Sequence, residues 1–194
     1  MTAVSSAEMA PHRQRIIAAA AELTATSGWA AVTMSRLADL VGVSRQTVYN
    51  EIGSKSALAE AMVMHELDRF LTVVDQAFDA NPTDLVEAVK AAVHGALDLA
   101  RGNTLLHAVV SATHGADTEL LPLLTTNSES LLDTAKVVIA DHLRGYDLAL
   151  TKRELGAAID TVVRVVLSHV MQPSGTPADT AADIAWIASR VLRH

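Results

Sequence analysis

Arg45, Gln46, Thr47, Tyr49 and Asn50 crowd into one short stretch, and each can donate or accept a hydrogen bond. Such side chains on the outer face of a single helix suit a groove lined with donors and acceptors, as the major groove of DNA is. That chemistry needs a scaffold to hold the start of the helix outward. The run Leu37-Ala38-Asp39-Leu40-Val41-Gly42-Val43-Ser44 supplies one. Ala38 is small where two helices must cross closely, and Gly42 lies at a turn that needs a positive backbone angle or a tight approach. Leu37, Val43 and Val48 form a small core fixing one helix against the other. Ser44 caps the second helix, whose first turn then enters the groove. The pattern is a helix-turn-helix from Met34 to Ile52.

The surrounding elements follow from caps, stops and apolar spacing. Residues 1–11 read as a flexible tail ending in Pro11. Ile16, Ile17, Ala20 and Leu23 place a helix over His12–Ser27, which Gly28 ends. Thr33 caps Met34–Val41, Ser44 caps Arg45–Ile52 before Gly53, and Ser54 caps a long helix to about Phe78. Further helices are expected over Thr83–Ala100, Asn103–Thr113, Leu123–Leu143 and Lys152–Val170, with breaks at Arg101–Gly102 and residues 114–118. After the loop Gln172–Thr176, Pro177 suits the first turn of a last helix reaching about Leu192. No segment alternates as a strand would, so the fold class is all-α. Residues 12–59 form a three-helix DNA-binding domain, and residues 60–194 a second, larger helical domain.

Bulk properties narrow the function. Half of the 194 residues are apolar, as in a globular protein. With no cysteine, disulfides, thiolate metal sites and thiol nucleophiles are excluded. There is neither a secretion signal nor an uninterrupted apolar run long enough to span a membrane, so a cytoplasmic protein is expected. The net charge of -7 argues against a general polyanion binder. Its distribution is uneven, however: residues 1–60 carry five Lys/Arg and five Asp/Glu, and all the net negative charge lies beyond them.

The whole run Arg15 to Glu60 resembles the TetR family of bacterial repressors. The likeness rests on the first helix, Gly28, Trp29, Thr33, the helix-turn-helix, Tyr49, Ser54-Lys55 and Leu58. It implies a homodimeric repressor on an inverted-repeat operator, with a ligand in the C-terminal domain that changes the spacing of two reading heads. By position, Thr33 would approach a phosphate as well as cap its helix. Arg45, Gln46 and Thr47 would face base edges, Tyr49 and Lys55 would meet phosphates, and Asn50 completes the DNA-facing set. Arg can bond bidentately to guanine and Gln to adenine. The departure from the family pattern is Glu51-Ile52-Gly53 in place of an aromatic pair and Pro. Ile52 can fill the core position of the Phe, while three placements stay open for Glu51: away from DNA, against a neighbouring basic group, or on a cytosine amino group.

The resemblance makes residues 60–194 a ligand-binding and dimerisation domain. Met64, Phe70, Leu106, His107 and Val110 are the candidate ligand contacts, within an apolar supply that includes Met62, Leu67, Leu71, Leu105, Val109, Leu120 and Leu124. Methionine-rich walls suit a flexible acyl or alkyl effector. His65, His94, His107 and His114 lack a ligand-spaced partner motif, so no metal is expected. No cofactor is expected either. Apolar excess and small residues such as Ala157, Ala158, Ala181, Ala182 and Ala185 mark residues 152–170 and 177–192 as the homodimer helices, pairing into a four-helix bundle. An enzyme is disfavoured because nothing assembles a nucleophile, phosphate loop or zinc signature. The competing reading is a helical protein-interaction adaptor without DNA binding, which leaves the polar cluster at residues 45–50 unexplained.

Overall fold

A computed structural model of the chain describes the backbone of residues 6–111, 120 and 129–191, and the side chains from residue 12 onward. All of its regular structure among the described residues is helical. In chain order the helices are α1 (Ser6–Ser27), a 3-10 turn (Trp29–Ala31), α2 (Met34–Val41), α3 (Arg45–Ile52) and α4 (Lys55–Ala80). There follow α5 (Leu85–Gly102), α6 (Thr104–Ser111), α7 (Glu129–Leu143), α8 (Lys152–Met171) and α9 (Pro177–Val191). The expected break at residues 114–118, the helix start at Leu123, Leu124 and His114 lie outside the described residues.

The chain folds as two compact units: Met1–Glu66 with Thr104–Asn127, and Leu67–Asn103 with Ser128–His194. In the first, Ile16, Ala20, Trp29, Val32, Leu37, Val48, Leu58 and Met62 are almost wholly buried in one core. Burying a side chain of this size contributes about 1.5–3 kcal/mol, so a few such residues suffice to hold short helices that would be marginal alone. Helix α2 buries Met34, Leu37, Ala38 and Val41, one stripe at helical spacing. Leu105 and Val109 of α6 join the same core and α6 packs on α1. This packing division differs from the sequence division at residues 59 and 60, because burial groups α6 with a helix far away in the chain.

The N-terminal boundary also differs from expectation. The flexible tail assigned to residues 1–11 is helical from Ser6, and α1 passes through Pro11. Proline disfavours helix in the residue before it, which is why it reads as a boundary. Ala7, Glu8, Met9 and Ala10 are nevertheless strong helix formers.

In the second unit α5 packs principally on α9, with Val93, Leu97, Ala181 and Ile184 between them. Ala77 and Phe78 of α4 share a second cluster with Leu85, Ala88, Leu143 and Ile159. Gly95 leaves room between α5 and α4, since a Cβ there would run into Val73 Cγ1. The Phe78 ring stacks on His142 with centroids 4.9 Å apart, while His142 Nε2 lies 2.7 Å from Asp75 Oδ1. Tyr146 donates to the Asn81 carbonyl at 2.7 Å, tying the α7–α8 loop to the end of α4. Helix α8 starts in a capping box: Thr151 Oγ1 accepts from Glu154 N at 3.3 Å, and the Glu154 carboxylate accepts from Thr151 N at 2.9 Å.

Candidate nucleic-acid interface

The interface is built from the turn outward. Gly42 takes the left-handed conformation at φ 73°, ψ 37°, which β-carbon sterics disfavour for other residues. The Gly42 and Val43 amides donate to the Ala38 carbonyl at 2.9 and 3.0 Å, closing α2 and turning the chain. Ser44 Oγ then accepts from the Thr47 amide at 3.0 Å and starts α3. A cap of this kind stabilises a helix by about 1 kcal/mol. Val48 and Ile52 hold α3 in the core.

At about 100° per residue, Arg45, Tyr49, Gln46 and Asn50 occupy one arc of α3 about 140° wide, and all four are exposed. They form two parallel pairs, each spaced four residues. Arg45 Nη2 donates to Tyr49 Oη at 3.4 Å, with its guanidinium 5.5 Å from the Tyr49 ring centroid. Gln46 Nε2 donates to Asn50 Oδ1 at 2.9 Å. Thr47 stands apart: it is half-buried, and its hydroxyl lies 2.8 Å from that of Ser44. Glu51 lies about 170° round the helix from the middle of the exposed arc and is half-buried. It therefore lies off the polar face.

Thr33 and Lys55 flank the unit. Thr33 is exposed and its Oγ1 accepts from Arg36 N at 3.2 Å, so it caps α2 while keeping its own O–H. Lys55 is half-buried, donating to the Trp29 carbonyl at 3.1 Å with its ammonium 4.7 Å from the centre of the Trp29 ring. That ammonium therefore fastens α4 to the 3-10 turn, and only its remaining N–H groups could meet a phosphate. Trp29 itself is 1% exposed, a core residue.

Two positioning residues escaped sequence reading. Arg13 donates to the Glu51 carbonyl at the end of α3, and Arg15 Nη2 donates to the Val41 carbonyl at the end of α2 at 2.6 Å. Each puts a cation on the negative end of a helix. No motif could reveal them, because a backbone acceptor carries no residue identity and lies 38 or 26 positions away.

The residues proposed for ligand contact are spread over both units. Met64, Leu106 and Val110 are half-buried and His107 is exposed in the first, and Phe70 is half-buried in the second. Among the described residues no His, Asp and Glu side chains cluster as a metal site, and no helix is long and apolar enough to cross a membrane.

Residues 16–62 match the bacterial regulatory proteins of the tetR family, and residues 84–190 match the bacterial tetracyclin repressor C-terminal domain. This chain belongs to the TetR family. It is 30% identical over 173 residues to the HTH-type transcriptional regulator AlkX of Mycobacterium tuberculosis, covering 89% of this chain and 81% of that one. Its fold matches the crystal structure of the TetR-family repressor AlkX from Dietzia sp., with TM-score 0.76 and 24% identity over 93% of this chain and 95% of the other. The fatty acid degradation regulator FadR of Bacillus halodurans shares the fold at TM-score 0.60 and 19% identity, over 95% and 97% of the two chains. A TetR-family regulator carries its DNA-binding helix-turn-helix first and its ligand-binding domain after it. The two matched segments fall in that order, within a family of transcriptional regulators rather than enzymes.

Proposed function

We propose that this TetR-family chain is a ligand-responsive repressor that binds an inverted-repeat operator as a homodimer. The observation that carries the reading is the exposed face of Arg45, Gln46, Tyr49 and Asn50 on a helix anchored by Val48 and Ile52. Arg45 and Gln46 read base edges, whereas Thr33, Tyr49 and Lys55 bond phosphates and set the register. Thr47, with its hydroxyl against Ser44, contributes least of the seven residues.

The dimer forms through residues 152–170 and 177–192. Trp186 and Ile187 of α9 are 60% and 54% exposed, and Val191 and Val165 are also left in solvent. Apolar surface of this kind, beside half-buried Val162, Val166 and Val170, supports burial against a second copy. Two-fold symmetry then sets two copies of α3 on half-sites of a pseudo-palindrome.

The effector in this reading is a small apolar molecule with an acyl or alkyl chain, contacted by Met64, Leu106, His107 and Val110 of the first unit. Support comes from their mostly apolar chemistry and from the relatives. The Dietzia AlkX is implicated in biodegradation of n-alkanes, and the Bacillus halodurans FadR regulates fatty acid degradation.

Selection of bound DNA from a random pool tests the operator, and release of that DNA by n-alkanes, fatty acids or their acyl thioesters tests the effector. The reading expects enrichment of one short inverted repeat and altered binding with at least one long-chain compound. Enrichment of no symmetric sequence by dimeric protein overturns it.

A further inference from the structure

The bond between Gln46 Nε2 and Asn50 Oδ1, 2.9 Å long, changes what Gln46 can offer to a base. A primary amide has two N–H donors and one carbonyl acceptor. Unpaired, its two donors can be turned toward guanine, whose major-groove edge shows the two acceptors N7 and O6. With one N–H spent on Asn50, a single N–H and the Oε1 carbonyl remain. That set complements adenine, which shows the N7 acceptor beside the N6 amino donor. In this arrangement the Gln46 amide nitrogen, and not its oxygen, faces Asn50 Oδ1.

We propose that Asn50 is a positioning residue that makes Gln46 select adenine over guanine at one base pair of each half-site. The inference rests on reading α3 as the helix that enters the major groove. Both residues are exposed one helical turn apart on the same arc, so the pair meets the groove as a unit. Arg45, beside them, has the two parallel donors suited to guanine. The two neighbouring readers thereby take opposite purines, and Asn50 keeps the second from drifting toward the first one's preference. Asn50 Oδ1 gives one of its two lone pairs to Gln46.

Random-pool selection with the full chain tests this, comparing wild type with Gln46→Ala, Asn50→Ala, Asn50→Asp and the double alanine variant. Gln46→Ala should erase the adenine preference at one position and thereby locate it. At that position Asn50→Ala should lower the adenine-to-guanine ratio by about tenfold, leaving the other positions of the repeat unchanged. The double variant should discriminate no worse there than Gln46→Ala alone. Asn50→Asp keeps an acceptor for Gln46 and should restore the ratio, while its charge weakens binding to all sequences alike. An unchanged ratio in Asn50→Ala overturns the proposal, as does a changed preference at some other base pair. Failure of the wild-type protein to enrich any symmetric sequence overturns the reading of α3 as well, and so is distinguishable from failure of Asn50's role alone.

Discussion

The two units expose opposite chemistries. In the first, the apolar side chains of α3 are spent inside, and its outer face carries side chains that hydrogen-bond one another. In the second, α9 buries Ala181, Ile184, Ala185 and Ala188 yet leaves Trp186 and Ile187 in solvent. A polar face loses little by staying hydrated and gains through directional bonds to a polar partner. An apolar face gains by losing water to any well-fitted apolar partner. The first is therefore suited to sequence reading and the second to assembly, and one regulator needs both.

Removing the first unit's core should have the largest effect. Trp29→Ala leaves a cavity in that core and removes the ring under Lys55, and should cost about 3–5 kcal/mol. Thermal or urea unfolding followed by amide hydrogen exchange should show the loss concentrated in residues 12–66 and 104–111. Uniform loss over the chain would show that the two units unfold together.

Trp186→Asp combined with Ile187→Asp addresses the other side of the comparison. These substitutions should yield a folded monomer in analytical ultracentrifugation and weaken operator binding about a hundredfold through lost bivalency. A variant that remains dimeric would place the interface elsewhere. A smaller effect is expected at Gly95→Ala, where the added methyl meets Val73 and should destabilise by about 1–3 kcal/mol. Val73→Ala in the same chain should recover most of that loss if the crossing of α4 and α5 is the cause.

The smallest effect is on pH dependence, at the start of α8 and where its middle meets α7. Hydrogen bonds from the Thr151 hydroxyl, then from its amide, hold the Glu154 carboxyl below its ordinary range. Arg164, then Lys136, does the same for Asp160. Carboxylates depressed on folding stabilise the fold above about pH 4 and cease to do so as pH falls through their lower folded values. Lys136 is raised by Asp133 and Asp160, so its contribution is present below about pH 10 and lost as pH rises through the folded value. Melting curves of Glu154→Gln should be less sensitive to acid than wild type. An identical acid slope would remove the capping box from the account.

Much of this fold is legible locally. Thr33, Ser44 and Thr151 cap helices, and Gly42 turns the chain, because these roles depend on residues within one helical turn. Pro11 misleads by the same local logic, since the helix runs through it. Non-local packing is another matter: nothing in Leu105 and Val109 announces that they share a core with Ile16. The identity of the polar face at α3 could be read from residue types, and helical spacing alone would have set Glu51 on the opposite side. The commitment of Thr47 to Ser44 and of Gln46 to Asn50 needed coordinates, because each residue had several feasible partners.

In the proposed function α3 reads DNA through Arg45 and Gln46, with Tyr49 on phosphate and Asn50 orienting Gln46. A crystal structure of the full chain with its selected inverted repeat tests it most directly. One α3 is expected in each of two successive major-groove faces, with Arg45 and Gln46 on base edges and Glu51 turned away. An α3 lying outside the groove, or Glu51 on the bases with Gln46 in solvent, would contradict it.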